Sequence, residues 1–147
     1  MYMHILIPTD GSDTAAKGVV AGIDYAREAG AKVLFFTAVP EYQVPSEAEL
    51  MSRRVKSLDQ YERESEQAAR AVLDKVAAAA KSANIAFETE FARSDKPYQA
   101  IIDAARRRGC DAIFIASHGR NGLAEMWHGS QTHEILTHSD IPTLVYR

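Results

Sequence analysis

From Lys32 to Val39 the chain reads Lys-Val-Leu-Phe-Phe-Thr-Ala-Val, apolar throughout except at Lys32 and Thr37. A strand with one wet face would alternate; an unbroken apolar run is buried on both faces, as in helix-covered parallel sheets. The rest of the chain fits that frame. His4–Pro8 reads as a first strand and Ala15 to Ala29 as a helix. Its expected inner face is Ala16, Val19, Val20, Ile23 and Ala26, with Gly30 as its stop. Ile85–Ala92 reads as a third strand, and Pro97 opens a helix to Arg108 that Gly109 ends. Ala112–Ser117, Ser130–Ser139 and Thr143–Arg147 follow as strand, helix and strand. The helical tract from about Ser46 to Ala83, as one rod, would be about 57 Å long at 1.5 Å per residue. That exceeds the domain, so the part before Leu58 is expected to bend away. The fold class is therefore α/β: a five-stranded parallel sheet between two helical layers, one domain over residues 1–147.

Bulk properties narrow the partners. A formal net charge of −3 argues against a broad nucleic-acid surface. The single cysteine, Cys110, cannot form an internal disulfide and fits a reducing compartment. The first apolar stretch, Ile5-Leu6-Ile7, is too short for a signal-peptide core, and no run approaches a membrane span. A cytoplasmic protein without a membrane or nucleic-acid partner is expected.

Ligands of such sheets bind beyond the carboxyl ends of the strands, where the winding direction reverses. Two segments reach that place: the turn Pro8–Asp13 and the loop His118–His128. Gly119, Gly122 and Gly129 let main-chain amides approach an anion, and His118, Arg120 and Asn121 add donors. A helix opening at Ser130 aims unpaired N–H groups at the same spot. Phosphate capture is one reading; a surface loop with Ser130 as helix cap is the other. Asp10 could meet ribose hydroxyls or help hold a phosphate-bridging metal, or could simply brace the turn.

Ile5-Leu-Ile-Pro-Thr-Asp-Gly-Ser12, Ser117-His-Gly-Arg120 and Gly129-Ser130 together resemble the universal stress protein family along essentially the whole chain. The resemblance implies strand order 3-2-1-4-5 in an adenine nucleotide alpha hydrolase-like fold. It also implies a homodimer and, in one subgroup, an adenine nucleotide such as ATP in the crevice. Pro8 would line the adenine pocket beside Thr9, Asp10 would meet the ribose, and the main chain of Ala38 would contact adenine. His118, Gly119, Arg120, Gly129 and Ser130 would form the phosphate segment, with amides of Gln131 and Thr132 following. Magnesium or manganese could accompany the phosphates. The chain departs from the pattern at Ala116, where the binding subgroup has glycine and a methyl is expected to narrow the ribose or phosphate space. It departs again at Met126-Trp127-His128, where leucine is usual. Trp127 is read as a packing residue and His128 as exposed.

Other chemistry is set aside. His133 and His138 do not share a helix face and have no cysteine beside them, so no metal site is assigned. Ser117-His118 lacks the nucleophile-elbow glycines, and Gly11 to Lys17 lacks the phosphate-loop spacing. Arg106-Arg107-Arg108 suits a helix end. No catalytic residue is assigned, and without a general base at the γ-phosphate any hydrolysis is expected to be slow. The final strand, Thr143–Arg147, would leave an open edge for antiparallel pairing with a second copy. The functional reading is an ATP-binding sensor or regulator. The alternative is a dimeric interaction module with an empty crevice. A third class, an enzyme activating substrates with ATP, would need a more glycine-rich turn after strand one.

Overall fold

The computed structural model describes residues 1–53, 55–117 and 129–147. Five strands form one parallel sheet: β1 (His4–Pro8), β2 (Lys32–Val39), β3 (Phe87–Arg93), β4 (Ala112–Ala116) and β5 (Thr143–Tyr146). Their order is β3-β2-β1-β4-β5. Among the described residues five helices connect them: α1 (Asp13–Ala29), α2 (Glu47–Met51), α3 (Leu58–Ser82), α4 (Pro97–Arg107) and α5 (Gly129–His138). The long tract does break, between α2 and α3, and each half starts on its own serine cap. Ser46 forms a capping box with Glu49, and Ser57 Oγ accepts from the Gln60 amide.

β1 lies at the centre, with Ile5, Leu6 and Ile7 opposite Val33, Leu34 and Phe35 of β2. Alternate residues feed two cores. Ile5, Ile7, Phe35 and Phe114 pack with α1 and α3; Leu6, Leu34, Phe36, Ile113 and Ile115 pack with α4 and with Ile135 of α5. Burying one such large side chain stabilises by about 1.5–3 kcal/mol, so this double layer is the main support of the sheet.

The inner face of α1 differs from the expected one. Ala15, Gly18, Val19, Gly22, Ile23 and Ala26 are buried, whereas Ala16 and Val20 face outward. The reason is close approach. A Cβ built on Gly18 would lie 2.6 Å from Ala116 Cβ, and one on Gly22 2.6 Å from Ile7 Cδ1. Only glycines let the helix settle this near the strands. β3 starts two residues later than expected because Ile85 is still in the turn, its amide bonded to Ala80 O.

Near the amino end of the sheet α4 ends, and there Arg107 and Arg108 reach Glu90 of β3 and Arg106 reaches Asp140, so the arginine run is a helix end tied to acids. His4 is partly buried there, and its Nε2 has no hydrogen-bond partner among the described residues. Burial, and then the charges of Lys32 and Arg108, hold its imidazole below the ordinary value despite Asp111 opposing them. Protonating it therefore costs more in the folded chain than in the unfolded one. Its contribution is intact above about pH 6.5 and is lost as pH falls from there through the lowered folded value. Urea midpoints at neutral and mildly acid pH should converge in His4→Gln relative to the parent; an unchanged pH slope would contradict this.

Candidate functional site

β1 ends on Pro8, and the chain turns into α1 through four residues held by their own side chains. The Thr9 amide makes the last ladder bond, to Phe36 O at 2.8 Å. Thr9 Oγ1 accepts from the Gly11 amide at 3.3 Å, and Asp10 Oδ1 accepts from the Ser12 amide at 2.9 Å. Ser12 Oγ then caps α1, accepting from the Ala15 amide at 3.2 Å. Gly11 has φ +81°, left-handed backbone that suits glycine. One oxygen of Asp10 thus braces the turn, as a turn residue would, and the same turn holds the carboxylate at the carboxyl end of β1.

β2 runs three residues beyond its last pairing with β1. Pro8 is opposite Phe36, and Ala38 pairs only outward, with Ala92 of β3. In a parallel strand the main-chain groups of alternate residues point to the same neighbour. Phe36 O faces β1, and Val39 O faces the β3 side, where it accepts from Ser94. The Ala38 amide and carbonyl therefore face the gap that β1 has vacated. The Gly11 amide, next in line to reach Ala38 O, is bonded to Thr9 Oγ1 instead. Among the described residues nothing takes either group, so a donor and an acceptor stand side by side at the edge of the crevice.

The opposite wall comes from β4 and α5. β4 pairs with β1 on the side away from β2, so the winding reverses between β1 and β4. Helix α5 begins at Gly129, one residue earlier than expected, which puts Ser130 inside the first turn and not at its cap. Thr132, in the same turn, is buried, and its Oγ1 has no hydrogen-bond partner among the described residues. Gln131 has a part that no local pattern indicates. Its Oε1 accepts from the Tyr98 amide at 2.7 Å and so caps α4, whose own N-cap residue, Lys96, makes no side-chain bond. The first turns of α4 and α5 are fastened together by that one side chain.

Ala116 ends β4. Its methyl lies on the α1 side of β4, against Gly18, because it alternates with Phe114 and Ala112 on that face. It does not take up space on the α5 side. His118, Gly119, Arg120, Trp127 and His128 fall outside the described residues. Cys110 sits at the far end of the sheet, buried, with its thiol pushed up to about 11 by burial, so it stays protonated at neutral pH. Among the described residues no helix is long and apolar enough to cross a membrane.

The family model described as "Universal stress protein family" matches residues 1–147. The chain belongs to the universal stress protein family. Among curated relatives, "Universal stress protein YxiE" of Bacillus subtilis is 27% identical, with all of both chains covered. "Universal stress protein MJ0531" of Methanocaldococcus jannaschii is 28% identical, covering all of this chain and 83% of its own. Among solved structures, a universal stress protein in complex with cAMP superposes with a TM-score of 0.73 at 20% identity, over 99% of this chain and 97% of its own. That of Archaeoglobus fulgidus in complex with dAMP gives 0.65 at 17% identity, over 99% and 98%. At these identities the structural likeness speaks for the fold. The order 3-2-1-4-5 expected of the family is the order observed.

Proposed function

We propose that this chain binds an adenine nucleotide, ATP foremost, in the crevice between the carboxyl ends of β1, β2 and β4, and serves as a cytoplasmic sensor or regulator in a stress response. The observation that carries the reading is the adjacent donor and acceptor of Ala38, opened by the early departure of β1. Adenine offers the complementary pair, an amine donor beside a ring-nitrogen acceptor. Guanine offers the reverse pattern and would leave both groups unpaired, at about 1–3 kcal/mol for each desolvated group. Pro8 would pack against the base beside Thr9, and Asp10 would accept from the ribose. The segment His118, Gly119, Arg120, Gly129 and Ser130 would take the phosphates, with the amides of Gln131 and Thr132 behind it, where the helix dipole favours negative charge.

Family relatives solved with cAMP and dAMP support the ligand class. Among the described residues no three histidine, cysteine or acidic side chains cluster to hold a metal by themselves. Magnesium or manganese would therefore arrive with the phosphates. Calorimetric titration should give saturable binding of ATP and binding of GTP at least about tenfold weaker. Equal affinities would remove the role given to Ala38, and no binding of either would leave the fold as an interaction module with an empty crevice.

The second element of the proposal is a twofold dimer through β5. Val145 and Tyr146 of this edge strand are 39% and 41% exposed, large apolar side chains on an open edge. Sedimentation at micromolar concentration should return a dimer mass; a monomer contradicts this pairing.

A further inference from the structure

The β1–α1 turn has a second side. There α1 and α3 part around a groove of about 390 Å³. Its floor is core, Val19 and Val76; its walls are Ala16 and Val20 on α1 and Val72 and Ala79 on α3. Val20 is 60% exposed, an apolar side chain left uncovered on the rim. The described lining includes one cation, Lys75, and no acid.

The polar groups gather at one end. Thr9 lies on the same face as Ile5 and Ile7, the α1–α3 side, and is 1% exposed. Its Oγ1 accepts from the Gly11 amide, but among the described residues nothing accepts its proton. A buried hydroxyl with an unused proton is a donor awaiting an acceptor. Val72 is close enough that a Cβ on Gly11 would lie 3.0 Å from its Cγ2, so α3 abuts the turn at this point. Lys75 is one helical turn further along α3 and lines the same groove as Thr9. Lys75 makes no ion pair among the described residues.

We infer that this groove binds a small amphipathic carboxylate, a medium-chain fatty acid, with its head group at Thr9 and Lys75 and its chain between α1 and α3. A purely apolar ligand would leave the donors of Thr9 and Lys75 unused, and an acidic lining that would repel a carboxylate is absent from the described residues. From Ala71 to Ala79 the groove wall spans about 12 Å at 1.5 Å per residue. That matches an extended chain of roughly eight to ten carbons with bonds of about 1.5 Å. The site is separate from the nucleotide crevice and shares with it only the turn, so it stands or falls without reference to ATP.

The test is a titration of the full chain, free of nucleotide, with decanoate below its micelle-forming concentration, followed by methyl NMR. Methyls of Val19, Val20, Val72 and Val76 should shift saturably, and decanol should bind more weakly. Lys75→Glu should weaken decanoate about tenfold or more, and Ala79→Phe, filling the groove from an exposed position, should abolish the shifts. Circular dichroism of both variants checks that the fold is kept. The inference is overturned if these methyls do not respond, or if they respond alike in both variants. Self-association that Val20→Glu abolishes and decanoate does not displace would also overturn it, making a second copy the occupant.

Discussion

Gly18→Val should be the most damaging single change on α1, lowering stability by about 2–4 kcal/mol and the melting midpoint by roughly 6–12 °C. The position is mid-helix, where replacing glycine ordinarily gains about 0.5–1 kcal/mol from propensity. Here that gain is outweighed. A Cβ at residue 18 would lie 2.6 Å from Ala116 Cβ and 3.4 Å from the Ala116 main chain. The obstacle is a buried central strand, not a flexible side-chain end, so the helix itself must move. A milder pair of variants makes the cause testable. Gly18→Ala should cost about 1–2 kcal/mol alone, and nothing in an Ala116→Gly background, where the helix-propensity gain should reappear. Equal costs in both backgrounds would show that the two residues do not meet as described. The same cycle bears on the crevice, since it places the Ala116 methyl on the α1 side, away from the α5 wall.

Saturating ATP should raise the melting midpoint by roughly 5–10 °C. At a hundredfold excess over the dissociation constant a ligand adds about 2.7 kcal/mol, and a domain of this size shifts by about 2–4 °C per kcal/mol. Gly129→Val should remove this response while leaving the unliganded midpoint nearly unchanged. Gly129 begins α5, where the first amides have no helical partners, and glycine lets an anion approach them closely. A full shift in this variant would mean that the phosphates lie elsewhere; no shift in the parent would favour the interaction-module reading.

Much of the architecture could be read from the residues because the signals were local. The unbroken apolar run of β2, the Gly30 end of α1, and the length of the tract after Ser46 each follow from burial or capping chemistry, whereas α1 starts at Asp13 on a Ser12 cap, two residues before the expected Ala15. What escaped was non-local or silent in hydropathy. Gly18 and Gly22 carry no apolar side chain, so a periodicity count passed over them and took Ala16 and Val20 for the inner face. Their spacing of four on α1, facing a strand, is the signal that could have found it. The capping of Tyr98 by Gln131 joins residues 33 apart, and no local pattern announces it. In the candidate site, the turn role of Asp10 was legible, since it acts within two residues. The open main chain of Ala38 was implied by resemblance, but its cause, a β2 that outruns β1, needs the register of two strands.

The proposed seat for adenine and phosphate can be probed at its own atoms. Backbone amide NMR of the full chain titrated with ATP should move Asp10, Gly11, Ala38, Gln131 and Thr132 together, with one dissociation constant, while Ala31 and Cys110 at the far end of the sheet stay still. Saturable binding that leaves Ala38 and the first turn of α5 unmoved would contradict the account.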